Sequence, residues 1–189
     1  MKFFQRPFVA VVLSALIVLC STLISIDVKL QSRCDAVSDI FYDGTRISGV
    51  AYPAMAEPMK QLCTLTDDVI LIAYNYGIDT EMLSRRLNDL ELAMQYSDDD
   101  VSYIGDCYGE FFKELRSVEI QLQNTGLSER HQLAMDGYSS QIAECSAAIT
   151  QGAAGYNERV RSFLKSYDKF PTGFWAEVTG TWFPDYFGA

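Results

Sequence analysis

The chain has 189 residues, 49 % of them apolar, and is acidic, with 25 Asp+Glu against 15 Lys+Arg for a formal net charge of −10. That balance speaks against nucleic acid as a partner, which demands a basic face, and against a body lying flat on anionic lipid. The apolar content, with only five prolines, excludes a chain that stays disordered.

Residues 1–7 form a short basic flank carrying Lys2 and Arg6. Residues 8–26, FVAVVLSALIVLCSTLISI, hold no charge, and Ser14, Ser21, Thr22 and Ser25 are the polar side chains. As a helix the run is about 28 Å long, against a bilayer core of roughly 30 Å. A signal peptide has a shorter apolar core and a small-x-small cleavage site. Cys20-Ser21-Thr22 is a poor match to such a site, so the run reads as an uncleaved, single-pass transmembrane anchor. With Lys2 and Arg6 set apart, everything after Ile26 carries −12. Lys29 and Arg33 follow closely, so the positive-inside count is nearly tied. The N-terminal amine tips it toward an extracytoplasmic body.

Residues 27–171 are expected to fold as an antiparallel up-and-down bundle of four or five helices, making the chain all-α with the membrane helix running straight into the bundle. Ile26, Leu30, Cys34, Val37 and Phe41 recur at helical spacing. Gly44 and Gly49 mark a loop ending near Pro53. A helix then starts near Glu57-Pro58 and carries Met59, Leu62, Leu65, Val69 and Ile72, and another spans Thr80 to Tyr96; Gly77 is either a break between them or a kink in one long helix. Asp98-Asp99-Asp100 lacks the alternating ligands of an EF-hand and reads as a helix cap. Val101 to Leu122 continues in three-four steps, closed by Asn124-Thr125-Gly126. Ser128 opens the longest helix, which runs through Gly152-Ala153-Ala154-Gly155, where either a neighbour approaches closely or the helix bends, and stops at Pro171. No stretch alternates as a strand does.

Cys34, Cys63, Cys107 and Cys145 lie far apart with no C-x-x-C pair, which is poor spacing for zinc. They are either small buried residues or two disulfides in an oxidising compartment. Residues 172–189 form an aromatic tail, packed on the bundle or set at the membrane interface. Phe174, Trp175, Trp182, Phe183, Tyr186 and Phe187 are its rings. The one histidine, His131, has no metal-ligand spacing around it and reads as a surface or capping residue. No nucleophile-elbow, P-loop or H-E-x-x-H motif occurs, so no catalytic residue, cofactor or metal is expected.

Two blocks carry a family likeness. YNERV, then FP nine residues later, then FWAEVTGTWFPDYF resembles the closing signature of the LemA family through Tyr156, Asn157, Val160, Phe170, Pro171, Ala176, Gly180, Tyr186 and Phe187. DVKLQSRCDAVSDI is similar to a second family stretch through Asp27, Val28, Leu30, Arg33, Asp35 and Ile40, with Ser38 where the family has proline and Asp39 where it has asparagine. The resemblance implies a prokaryotic protein with one membrane helix, a long helical bundle and no settled biochemical activity. It also implies structural roles for the matched residues, with Asn157 and the Arg33/Asp35 pair tying segments by hydrogen bonds or forming a ligand site.

The expectation is therefore a non-catalytic, membrane-anchored helical protein presenting an acidic surface to envelope proteins or to itself. The alternative is a ligand-binding sensor or accessory subunit with a cleft where tail meets bundle.

Overall fold

The computed structural model describes residues 7–97, 100–167, 174 and 180–188. It is mostly helical: α1 (Pro7–Ser38), α2 (Ile40–Asp43), α3 (Ala56–Asn75), α4 (Glu81–Tyr96), α5 (Val101–Gln123) and α6 (Glu129–Tyr167). Between α2 and α3 stands a β-hairpin of β1 (Thr45–Ile47) and β2 (Val50–Tyr52). The chain divides into two compact units, one of Met1–Ala36 with Phe163–Phe183, the other of Val37–Ser162 with Pro184–Ala189. Two of these divisions fall inside α1 and α6. Lys2, Arg6, Asp98, Asp99, Phe170, Pro171, Trp175 and Ala176 lie outside the described residues.

In the first unit, α1 is the one helix among the described residues long and apolar enough to cross a membrane. No interruption separates the apolar run from the DVKLQSRCD block, so both sit on one helix of 32 residues. None of its most apolar stretch is buried by protein; Ile17 is 67 % and Ile24 65 % exposed. Two of the polar side chains in the run are satisfied locally. Ser21 Oγ and Thr22 Oγ1 both donate to the Val18 carbonyl, at 2.9 and 2.7 Å, the back-bonding that hydroxyls make within helices.

The second unit has a continuous apolar core. Phe41, Met59, Leu62, Val69, Leu90, Ile104, Phe111, Leu115, Leu122, Ile142, Ile149 and Val160 are fully shielded, and they fall on the three-four stripes of their helices. α4 packs on both α3 and α5, and α3 also touches α5 and α2. Gly77, at φ +70°, ends α3 in a left-handed turn, so Gly77 separates two helices and does not kink one. Asp100 caps α5 by accepting from the Tyr103 N–H at 2.9 Å. Ser128 Oγ accepts from the His131 N–H at 3.4 Å at the start of α6.

The hairpin corrects the loop expected between Gly44 and Pro53. Thr45 pairs with Tyr52, Arg46 with Ala51 and Ile47 with Val50. Ser48 (φ +50°) and Gly49 (φ +86°) form the two-residue turn, the twist-compatible type with both central residues left-handed. Gly44 is held at φ +71°, where a Cβ would meet the Tyr52 carbonyl oxygen at 2.5 Å.

Candidate functional site

The residues that carry the family likeness gather mainly around the end of the chain. Asn157, on α6, reads the backbone of Phe187 with both atoms of its amide: Oδ1 accepts from the Phe187 N–H at 2.8 Å and Nδ2 donates to the Phe187 carbonyl at 3.2 Å. A side-chain amide is one of the few groups that can match a peptide N–H and C=O at once. The Phe187 ring is buried beside Tyr108 of α5, ring centroids 6.0 Å apart. It lies over Gly105, where a Cβ would stand 2.5 Å from the Gly188 nitrogen and 3.0 Å from the Phe187 ring. The missing side chain at Gly105 and the amide at Asn157 together make a seat for one aromatic residue. Pro184 is buried as well, while Trp182 is 47 % exposed.

Next to Asn157, Tyr156 is wholly buried, and its hydroxyl has no hydrogen-bond partner among the described residues. Burial, helped by the carboxylates of Asp185 and Asp100, pushes this phenol above its ordinary range. Holding Phe187 in the seat is favourable on balance. Burying the ring contributes about 1.5–3 kcal/mol, the two hydrogen bonds about 0.5–1.5 kcal/mol each, and an unsatisfied buried hydroxyl costs about 1–3 kcal/mol.

In the first unit, Asp27 Oδ1 accepts from Thr181 Oγ1 at 3.0 Å. The Arg33 guanidinium donates to the Tyr167 hydroxyl and lies 5.7 Å from the centroid of that ring. Tyr167 packs on Phe163 at 4.5 Å, and Phe183 meets Phe163 edge-on at 5.6 Å. Asp27 and Arg33 are thus joined to the aromatic end of the chain, whereas Asp35 is exposed. Val160 belongs to the core, Gly180 turns at φ +68°, and Tyr186 is half-buried. Phe170, Pro171 and Ala176 fall outside the described residues.

The small-residue stretch of α6 admits the hairpin and its exit, not another helix. A Cβ at Gly155 would meet Tyr52 at 2.5 Å, and one at Gly152 would meet Met55 Cγ at 2.6 Å and the Pro53 oxygen at 2.7 Å. Arg159 secures the contact, donating to Thr45 Oγ1 at 3.2 Å and to the Arg46 carbonyl at 2.9 Å. α6 passes through the stretch as one helix.

Two polar joints escape sequence reasoning. Glu119 is only 2 % exposed, yet its carboxylate receives Arg116 Nη1 at 2.9 Å and Ser139 Oγ at 3.1 Å, linking α5 to α6. His131 is not a bare surface residue: its Nδ1 lies 2.9 Å from the Tyr76 hydroxyl, which accepts from the Ser128 N–H at 2.9 Å. The bonds from Ser128 hold the Tyr76 phenol below its usual range. This joint ties the end of α3 to the start of α6.

All five cysteines are free thiols, with Cys34, Cys63 and Cys145 buried and Cys107 half-buried. The four after Ile26 sit on four different helices, α1, α3, α5 and α6. Cys63 lines a groove of about 540 Å³ with Lys60, Thr64, Glu91, Met94 and Gln95. Burial first, then Glu91 and Asp67, raise its pKa to about 12, so it is not a nucleophile near neutrality. A thiol whose folded pKa lies above its unfolded value contributes stability in full below the unfolded pKa and loses it as pH rises toward the folded one. Stability is expected to fall from about pH 9 to about pH 12, and Cys63→Ala to flatten that slope in urea titrations at successive pH values.

Among the described residues, no group of three or more His, Cys, Asp or Glu is placed to hold a metal ion. Comparison with family models, with curated proteins and with solved structures finds no match for this chain.

Proposed function

We propose that this is a non-catalytic, single-pass membrane-anchored protein of LemA type. In this reading α1 spans the bilayer, an antiparallel helical bundle stands on the extracytoplasmic side, and its acidic surface meets other envelope proteins or further copies. One observation carries the reading: no residue of the most apolar window of α1 is buried by protein. Leaving that much apolar surface in water is strongly unfavourable, and lipid is the solvent that removes the cost. The inward-bonded Ser21 and Thr22 hydroxyls fit the same environment. The resemblance through Asn157, Tyr156 and Phe187 supports the family assignment because those residues serve one seat. The sensor alternative needs an open cleft where the tail meets the helices, and at Gly105 and Asn157 the chain's own Phe187 fills that place.

The test is membrane fractionation. The full chain should stay with membranes through an alkaline carbonate wash, and a chain lacking residues 1–26 should move to the soluble fraction. A deletion product that still pellets would place the anchor elsewhere.

A further inference from the structure

In the first unit the end of the chain is fastened to α1 at a height that the helix itself measures. The apolar run 8–26 is centred on Ile17. At a rise of about 1.5 Å per residue, Asp27 stands about 15 Å from that centre, the edge of a hydrocarbon core about 30 Å thick. Lys29 stands about 18 Å out, within the headgroup layer, and Arg33 about 24 Å out, at its outer edge. Two contacts bring the aromatic end of the chain to these levels. Thr181 Oγ1 donates to Asp27 Oδ1 at 3.0 Å, and the Tyr167 hydroxyl and ring both meet Arg33. The stretch that follows Gly180 then alternates. Thr181 turns to Asp27, Phe183 meets Phe163 edge-on at 5.6 Å, and Trp182 between them is 47 % exposed. Trp182 is thus held within one residue of the level where acyl chains give way to headgroups. Tryptophan favours that layer, because its ring is apolar and its N–H finds acceptors there.

Charge permits the same contact. The first unit holds six Lys+Arg against four Asp+Glu, which makes it net positive and leaves −12 on the second unit. The repulsion from lipid phosphates that the whole chain implies therefore does not act on the part beside the bilayer. Lys29 is exposed at phosphate depth. We propose that Trp182 and Lys29 dock on the phospholipid interface around the emerging end of α1, so that the anchor helix and the end of the chain grip the bilayer together. The inference rests on the membrane-spanning reading of α1. Its occupant is lipid because Asp27, which holds Thr181, directly follows the apolar run whose most apolar window no protein covers.

Indole fluorescence of the full chain in phosphatidylcholine–phosphatidylglycerol vesicles tests this, with bromines placed on the acyl chains either near the headgroup or near the midplane. Trp175→Phe leaves Trp182 as the single tryptophan. Its emission should be quenched most by the shallow bromines and should lose most of the aqueous iodide quenching seen for free tryptophan. Trp182→Phe, which keeps Trp175, reads the same contribution by difference from the unaltered chain, with helix content of both variants checked by circular dichroism. A probe on the anchor, Ile17→Trp with both native tryptophans changed to Phe, should respond most to the midplane bromines. If the Ile17 probe behaves so while Trp182 stays open to iodide and insensitive to bromine, the docking is refuted and the spanning α1 stands. If both positions are open to iodide, the spanning α1 falls and the docking with it. Trp182 quenched most by the midplane bromines would also overturn the proposal, since Asp27 could not then lie at the hydrocarbon edge.

Discussion

Arg116→Ala is expected to destabilise the second unit by about 3 kcal/mol, more than the loss of its exposed position suggests. Arg116 is 46 % exposed and looks like half of a surface i,i+3 pair, worth little by itself. Its partner is not at the surface. Glu119 is 2 % exposed and, among the described residues, keeps only the Ser139 hydroxyl when the guanidinium goes, so a carboxylate is left in a shielded site without its ion-pair partner. The asymmetry gives the sign of the comparison. Glu119→Gln leaves Arg116 free to hydrate and retains an acceptor for Ser139, and should cost about 1 kcal/mol. The double variant should recover part of the Arg116→Ala loss, because the stranded charge is gone. Urea denaturation of the three proteins reads all of this, and equal losses for Arg116→Ala and Glu119→Gln would mean the carboxylate is not shielded.

Gly155→Val should lower the melting temperature by about 5–10 °C, from roughly 1–3 kcal/mol of overpacking at 2–4 °C per kcal/mol for a chain of this size. The added Cβ would sit 2.5 Å from both Cβ and Cγ of Tyr52, so either the Tyr52 side chain or the strand that bears it must move. Helix propensity acts in the opposite direction, since valine is the better helix former, which makes a loss diagnostic of the contact. Two glycines on the same kind of backbone supply the control. Gly109 and Gly137 lie within α5 and α6 with nothing within 4 Å of an added Cβ, and their alanine variants should be stabilised by about 0.5–1 kcal/mol. Tyr52→Ala combined with Gly155→Val should lose less than the sum of the two changes if the clash is the cause. Differential scanning calorimetry gives all five values.

The helices were legible because their signals are local and repeated. Val101 to Leu122 and Met135 to Val160 carry unbroken apolar stripes, and Asp100 and Ser128 announce their starts by type and position. The hairpin was hidden for the opposite reason. Strands of three residues are too short to show alternation, and Thr45 and Arg46 are held by Arg159, more than a hundred positions away. Gly152 and Gly155 did signal a close approach, but their spacing cannot say that the visitor is Tyr52 on a turn instead of a second helix.

The seat divides in the same way. Asn157 and Phe187 stood out through their family likeness, yet only the fold brings an amide on α6 to a peptide unit thirty residues later. Gly105 gave no signal, being one glycine inside an otherwise regular helix. Glu119 was masked by its partner: an arginine three residues earlier makes any glutamate look solvated, and its burial depends on Ser139 from the next helix.

The central claim is that α1 lies in a bilayer, and its native Cys20 reports on that directly. Cys20 is exposed with respect to protein, so only lipid can shield it. In open membrane sheets treated with a charged, water-soluble maleimide, Cys20 should label at least tenfold more slowly than a cysteine placed at the water edge by Lys29→Cys, with mass spectrometry locating each adduct. Equal labelling rates at the two positions would contradict a membrane-spanning α1.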